Sequence, residues 1–170
     1  MNRDQRIVAA GAIGGIVTML MLLWLLYHVL PPPSGAELVA NRMAYALKWN
    51  ALAVLPLFAM IGAIGNARAL SDAIDPTRGK ESPAMQINAR VANNTLEQFV
   101  LFATGSLALA AALPGGQVRI VGAAAICFVV MRIAFWIGYR IHPLYRAFGF
   151  ASCAYMNLGM LAATLWFSMN

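Results

Sequence analysis

Five long apolar runs constrain this chain more than any other feature of its sequence. A helix of about 20 residues crosses the roughly 30 Å hydrocarbon core of a bilayer, so runs of this length predict membrane spans. The runs cover residues 7–30, 49–70, 86–113, 118–139 and 147–169. The composition agrees, because 61% of the residues are hydrophobic and only 11% are charged. The sequence therefore predicts an all-α integral membrane protein with five spans.

The first apolar run, residues 7–30, is expected to stay in the protein as a membrane anchor. It is longer than the hydrophobic part of a typical signal peptide, and nothing after it resembles a cleavage site. Gly11 and Gly15 form a pair of small residues four apart, which allows another helix to approach closely. Such pairs are common in membrane helices, so this one predicts a close contact without identifying the partner.

A short polar segment separates the first two runs. The three prolines at positions 31–33 end the first helix, because proline cannot continue it. Ser34, followed three residues later by Glu37, resembles a capping box and predicts a new helix near Gly35. The mixed composition of residues 36–48 favours a position at the membrane interface.

The distribution of Lys and Arg among the loops predicts the orientation of the chain. With the N-terminus inside, the inner segments contain seven of these residues and the outer segments three. The inner set is Arg3, Arg6, Arg68, Arg78, Lys80, Arg140 and Arg146, and the outer set is Arg42, Lys48 and Arg119. The positive-inside rule therefore predicts a cytoplasmic N-terminus and an outer C-terminus.

The net charge of +6 favours lipid headgroups or an anionic ligand as partners, rather than nucleic acid. The 12 Lys and Arg residues are scattered over loops and helix ends, whereas nucleic-acid binding favours basic clusters interleaved with aromatic residues. Cys127 and Cys153 each lie within an apolar run and match no metal-ligand spacing. We therefore expect buried thiols, no metal site and no nucleic-acid partner.

Polar side chains interrupt the third span on one face of the predicted helix. Arg90, Asn94 and Glu97 have the spacing i, i+4, i+7, so they share a side, while Val91 and Leu96 lie largely away from it. A charged side chain within a membrane is costly unless it pairs or lines a hydrated cavity. This face is therefore a candidate functional site.

The fourth span contains a second buried charge, Arg132. Tyr139 and Arg146 follow it by 7 and 14 residues, which continues the same helix face past the membrane end unless Pro143 interrupts the helix. The predicted topology places this face and the Arg90 face on the cytoplasmic side. The two faces are therefore expected to form one site.

Three interpretations of this site remain open on the residues alone. Several guanidinium groups, one carboxylate and neutral hydrogen-bonding groups suit a zwitterionic, peptide-like anion. A structural alternative is that Glu97 pairs with Arg132 only to tie two helices together. This alternative leaves buried positive charge unneutralised, because three arginines face one carboxylate. A proton or ion relay is the weakest interpretation, since the spans lack a run of Asp, Glu or His.

The same residues resemble the pattern of the MAPEG family, the membrane-associated proteins in eicosanoid and glutathione metabolism. The resemblance covers the chain from about residue 50 to the C-terminus, in the family's four-helix order. It is carried by Arg90, Asn94 and Glu97 in one span and by Arg132, Tyr139 and Arg146 around Pro143 in the next. It implies a homotrimer of four-helix bundles, with glutathione held at each subunit interface near the cytoplasmic face.

The resemblance also implies a role for each matching residue. Glutathione would be bound by Arg90, Asn94, Glu97, Arg132 and Tyr139. Arg146 matches the arginine that stabilises the thiolate in catalytic members, so it is the implied catalytic residue. Arg68, together with Asn66, lies where a neighbouring subunit contributes to the site. A guanidinium beside a sulfur favours the thiolate, which is the nucleophilic form.

The implied activity is transfer of glutathione to a hydrophobic electrophile, with hydroperoxide reduction as a second activity. The electrophile would arrive from the lipid and glutathione, or a related thiol, from the water. The alternative belongs to a different class: a non-catalytic membrane partner or assembly protein that keeps the polar faces for packing.

Two side chains and the first span depart from the family pattern. Gln98 stands where some eicosanoid-synthesising relatives have Tyr, and Phe135 where they have a polar ring, which argues against specialised eicosanoid synthesis. We divide the chain into an additional N-terminal transmembrane helix with its linker, residues 1–48, and a four-helix domain, residues 49–170. The added span is expected to pack outside the trimer, cover the groove or recruit another membrane protein. The resemblance is to a bacterial-type member, which implies the bacterial inner (plasma) membrane.

Overall fold

The structure, a computed structural model, describes residues 1–169, and α-helices make up most of this part of the chain. The helices are α1 (Arg3–Val29), α2 (Val39–Ala53), α3 (Leu55–Ala69), α4 (Pro83–Ala112), α5 (Arg119–Ile141) and α6 (Arg146–Met169). No strand occurs within these described residues. Five segments are long and apolar enough to cross a membrane: α1, Val39–Ala69, α4, Gly115–Ile141 and Pro143–Met169. The prediction of an all-α, five-span integral membrane protein is confirmed.

Local sequence explains where the first and fourth helices begin. The Gln5 backbone N–H donates to Asn2 Oδ1 at 2.8 Å, and the Asn2 N–H donates to Gln5 Oε1 at 3.0 Å, which is a capping box at the start of α1. At the start of α4, Pro83 occupies the first turn, where its missing N–H costs nothing. Ser82 Oγ accepts from the Met85 N–H at 3.3 Å and caps this helix.

The predicted capping box at Ser34 and Glu37 is wrong. The structure has turns over this stretch, and the next helix begins only at Val39, without a side-chain cap. Gly35 adopts a φ of +68°, a left-handed conformation that a right-handed helix does not contain. Asn41 Nδ2 donates to the Gly35 carbonyl at 2.9 Å and stabilises the turn. This segment therefore forms a turn and not the start of a helix.

Arg42, in the segment after the prolines, is buried within the protein, and the expected interfacial position of this segment stays a prediction. Its Nε donates to the Ala110 carbonyl at 2.9 Å and its Nη2 to the Ala111 carbonyl at 3.1 Å. Its Nη1 donates to the carbonyls of Ala36 at 3.0 Å and Glu37 at 3.1 Å. Helix C-termini leave carbonyls without internal partners, and Arg42 satisfies those at the end of α4. It is a structural arginine rather than a headgroup anchor.

The second span is one helical segment that is interrupted at Val54, between α2 and α3. Pro56 lies in the first turn of α3, so the missing N–H falls where the helix restarts. Hydrogen bonds between polar side chains, buried or half-buried, tie this span and the others together. Ser106 Oγ donates to Asn50 Oδ1 at 2.9 Å, Asn157 Nδ2 to Gln98 Oε1 at 3.0 Å, and Trp136 Nε1 to Asn88 Oδ1 at 2.9 Å.

Helix α1 packs along α6 and α5 of its own chain. The small residues predicted to allow a close approach do so here: a Cβ on Gly11 would lie 3.4 Å from Ala147 Cβ. A Cβ on Gly15 would collide with the Phe148 carbonyl and with Ser152 Oγ. The prediction of a close helix contact is therefore confirmed, and its partner is the start of α6.

The orientation across the membrane, with the N-terminus in the cytoplasm, stays a prediction. The division of the chain into residues 1–48 and 49–170 also stays a prediction.

Alternating passage of five spans places the starts of α1, α4 and α6 and the end of α5 at one end of the bundle. We call this the N-terminal end, and the opposite one the distal end.

Replacing Gly15 by alanine tests how closely α1 must approach α6. The added methyl group meets backbone at Gly15, whereas at Gly14 the nearest atom, Phe148 Cδ2, is 4.0 Å away. Overpacking typically costs about 1–3 kcal/mol. We therefore expect Gly15→Ala to lower the melting temperature in detergent, and Gly14→Ala, the matched control with the same gain in helix propensity, not to lower it. Equal melting temperatures for the two variants would contradict this packing.

Candidate functional site

A cavity of about 440 Å³ lies at the N-terminal end of the bundle. Four helices wall it: α1, α4, α5 and α6. Its lining residues are Val8, Arg90, Asn94, Phe135, Tyr139, Arg146, Ala147 and Phe150. Four of the predicted site residues therefore surround one space, with apolar side chains on the remaining walls. No group of three or more His, Cys, Asp or Glu suited to a metal ion occurs among residues 1–169.

Arg146 lies over Tyr139 at the edge of this cavity. Its Nη1 donates to the Tyr139 hydroxyl oxygen at 3.1 Å, and its guanidinium carbon is 5.3 Å from the centre of the ring. Of the two possibilities left open for this helix face, the interruption at Pro143 occurs, because α5 ends at Ile141 and a tight turn, Pro143–Tyr145, precedes α6. The turn nevertheless returns Arg146 to the side on which Tyr139 lies. Arg146 is exposed, so its guanidinium is available to a ligand.

Arg132 lies behind the cavity wall and is 0% exposed. Its three nitrogens donate to Asn94 Oδ1 at 3.1 Å, the Gly149 carbonyl at 3.0 Å and Cys153 Sγ at 3.2 Å. Its guanidinium carbon is 4.5 Å from the centre of the Phe135 ring. No carboxylate pairs with it within the described residues. Arg132 therefore supports the wall of the cavity through Asn94 and Phe135.

Glu97 lies near the middle of α4 and is exposed in the single chain. Asn94 Nδ2 donates to Glu97 Oε2 at 3.2 Å, while Asn94 Oδ1 accepts from Arg132. The structural alternative in which Glu97 pairs directly with Arg132 is therefore wrong, because Asn94 bridges the two charges. Arg90 is exposed as well, so the expectation of three buried arginines holds for Arg132 alone.

Comparison with known proteins agrees with this arrangement of helices and polar groups. A family model described as the MAPEG family matches residues 46–166, which is most of the chain. The chain belongs to the MAPEG family. Members are generally trimeric and membrane-embedded, and the family is associated with glutathione and eicosanoid metabolism. No curated protein and no solved structure matches the chain.

Arg68 does not line the cavity of this MAPEG chain and, unlike Glu97 and Arg132, makes no hydrogen bond to the lining residue Asn94. It is half-buried near the end of α3, and its guanidinium forms an ion pair with Glu81, with Nε donating at 3.1 Å. This pair joins the two ends of the polar loop between α3 and α4. The role of Arg68 in the site of a neighbouring subunit stays a prediction.

Val8 lines the cavity, although no sequence pattern singled it out; the same is true of Ala147 and Phe150. Val8 lies in α1, which precedes residues 46–166, the part of the chain that the family model matches. The pair Gly11 and Gly15 predicted a close helix contact but not its partner. Val8 is one of many apolar side chains in this run, so its sequence position alone does not indicate a place in the cavity.

The bridging role of Asn94 predicts a loss of stability when its side chain is removed. In Asn94→Ala, a buried Arg132 N–H loses its acceptor, and an unsatisfied buried donor costs about 1–3 kcal/mol. We expect a lower melting temperature in detergent than for Asn93→Ala. Asn93 is the matched control, because it is exposed and makes no side-chain hydrogen bond among the described residues. If both variants melt like the wild type, Asn94 does not hold Arg132 in place.

Proposed function

We propose that this MAPEG protein is a membrane-bound glutathione transferase that conjugates glutathione to hydrophobic electrophiles. The observation that carries the proposal is the convergence of Arg90, Asn94, Tyr139 and Arg146 on one cavity. Glutathione has two carboxylates, one ammonium and a thiol. Guanidinium groups bind carboxylates through charge-assisted hydrogen bonds, and the Asn94 and Tyr139 side chains supply neutral ones. Glu97, beside Asn94, offers a partner for the ammonium.

Arg146 is the proposed catalytic residue. A cation near a thiol stabilises the thiolate. The Tyr139 hydroxyl oxygen accepts a hydrogen bond from the Arg146 guanidinium and holds it in place. The thiol proton leaves to water, and the thiolate sulfur forms a bond to the electrophilic carbon. In a substitution, the leaving group departs with its electron pair; in an addition, the adduct takes a proton from water. A thiolate held this way is also the species that hydroperoxide reduction requires.

The apolar walls of the cavity supply the second half of the proposed site. Phe135 and Phe150 face the same space as the polar groups, so a hydrophobic electrophile is held next to the sulfur. Water enters from the N-terminal end of the bundle, which the loop charges predict to be cytoplasmic. The site is thus reached by glutathione from the cytoplasm and by its apolar partner from the membrane, proposed to be a bacterial inner membrane.

Exposure of Glu97 supports a homotrimer as the working form. A carboxylate on the outside of a membrane helix is costly against lipid, and Arg90 and Asn93 lie on the same exposed face. A neighbouring subunit that covers this stripe removes that cost. Arg68 of the neighbour is the proposed contribution to the shared site. Family members are generally trimeric, which agrees with this assembly.

A second candidate function is a non-catalytic membrane partner or assembly protein. The observation that favours it concerns the buried Arg132. The chain itself supplies the acceptors of its three hydrogen bonds, so Arg132 needs no ligand. Polar side chains then serve packing alone, and α1 serves as a docking helix. This candidate requires no affinity for glutathione, which separates it from the transferase.

Removing the guanidinium of Arg146 tests the proposed chemistry. A rise of one unit in the pKa of the bound thiol leaves about tenfold less thiolate at a pH below that pKa. We expect Arg146→Leu to reduce the ultraviolet absorbance of bound thiolate, and turnover of an aryl chloride, by about tenfold. Glutathione binding should fall much less, because other groups hold the carboxylates.

Arg140→Leu is the matched control for this experiment. Arg140 is an exposed arginine in the last turn of α5, outside the lining of the cavity, and its removal changes the net charge equally. It should leave the thiolate signal unchanged. If Arg146→Leu and Arg140→Leu both retain the wild-type signal and turnover, Arg146 is an ordinary membrane-interface residue and the proposed mechanism is wrong.

A further inference from the structure

A second cleft lies at the distal end of the bundle, far along the helices from the proposed glutathione site. It is a groove of about 390 Å³ and, like the first cavity, is walled by α1, α4, α5 and α6. Its apolar walls include Leu23, Trp24, Leu109, Ile120, Ala163 and Phe167. Since the walls are membrane-spanning helices, the groove opens to the hydrocarbon of the bilayer. Its apolar lining suits a hydrocarbon chain.

Arg119 lies at the mouth of this groove, in the first turn of α5. Its guanidinium carbon is 4.1 Å from the centre of the Tyr27 ring, and Tyr27 and Gln117 both line the groove. The side chain makes no hydrogen bond and no ion pair within residues 1–169, and its Nε is buried without an acceptor. This cation–π contact holds the Arg119 guanidinium beside Tyr27, while its outer N–H groups keep their capacity to donate.

The charges around the mouth favour an anion as the missing partner. Of the six Asp and Glu residues in the chain, Glu37 is the one at the distal end, because the others lie in α1's first turn, the α3–α4 loop or the middle of α4. Arg42, Lys48 and Arg119 are at the same end, and Arg42 is already satisfied by backbone carbonyls. A second copy of this chain would therefore bring mostly positive charge to Arg119, which excludes it as the best-fitting occupant.

We propose that the groove is a binding site for one anionic phospholipid, with its phosphate on Arg119 and an acyl chain along the apolar walls. The depth of the residues fits this orientation. Tyr27, Gln117 and Arg119 lie at helix ends, and Leu23 and Leu109 lie about one turn deeper. A phosphate at the headgroup level and a chain entering the bilayer therefore fall where the guanidinium and the apolar walls are. The site does not depend on glutathione chemistry.

The proposed lipid contacts α1 as well as the other helices that wall the groove. Leu23, Trp24 and Tyr27 belong to α1, whereas the other walls are formed by α4, α5 and α6 and the turn before α5. A bound lipid bridges α1 and the other helices at the distal end, beyond the close contact that Gly15 makes near the middle of α1. It is expected to stabilise the docking of α1.

Native mass spectrometry of the full-length protein in detergent tests the proposal, using phosphatidylglycerol and phosphatidylcholine with identical acyl chains. We expect one phosphatidylglycerol per chain, bound about tenfold more tightly than phosphatidylcholine, which corresponds to one charge-assisted contact. Arg119→Gln should remove this preference, and Lys48→Gln, an exposed cation at the same end, should keep it. Inorganic phosphate at millimolar concentration should not displace the lipid.

Filling the groove tests the acyl chain separately. Ala163→Phe places a ring in the groove, while Ala162→Phe, the matched control, places the same ring on an exposed position outside the lining. Only Ala163→Phe should weaken binding of both lipids. Thermal stabilisation of the wild type by phosphatidylglycerol over phosphatidylcholine provides a measurement that needs no variant.

Four results would overturn the lipid site. They are equal affinity of the wild type for both lipids, an unchanged preference in Arg119→Gln, displacement of the lipid by inorganic phosphate, and occupation of the groove by a second copy of the chain. The last result would show as lipid-free oligomers that Ala163→Phe dissociates.

Discussion

The rest of the structure depends on the burial of the Arg132 guanidinium. A buried charge without a partner costs several kcal/mol, and arginine cannot lose its proton to avoid that cost. Asn94, Gly149 and Cys153 supply one acceptor each, from α4 and α6, and hydrogen bonds to a charged group are worth about 1.5–3 kcal/mol. The guanidinium on α5 therefore fixes the positions of α4 and α6 around it. The cavity lies against this arrangement, so its shape depends on these three acceptors. None of the three is a carboxylate.

Helix α1, which precedes the residues that the family model matches, walls a cavity at each end of the bundle. At the N-terminal end its Val8 walls the cavity that holds the proposed glutathione site. At the distal end its Trp24 and Tyr27 wall the apolar groove beside Arg119. Between them, Gly15 allows the backbone of α1 to come against α6. The helix is therefore a structural part of two cavities within one chain, rather than an anchor appended to a finished domain.

Helix periodicity and residue chemistry predicted the spans and the sharing of one cavity by Arg90 and Asn94, because a helix face follows directly from spacing. The same reasoning failed where long-range packing decides. Glu97 and Arg132 are bridged by Asn94, which spacing along one helix does not show. The burial of Arg42 was also not predicted, because two of the four carbonyls that accept its hydrogen bonds are 68 and 69 residues away in sequence. A sequence pattern identifies which side chains share a helix face, but not which helix covers that face.

Native mass spectrometry with glutathione tests the central claim most directly, because it reports the assembly and its ligand together. The claim is that the cavity binds an anionic thiol peptide and that the exposed Glu97 stripe is covered by neighbouring subunits. The account predicts a trimer that carries up to three glutathione molecules, one for each cavity, and that loses them in Arg90→Leu. A monomer that binds glutathione would contradict the shared interface. A trimer that stays free of glutathione at millimolar concentration would contradict the proposed function and favour the non-catalytic alternative.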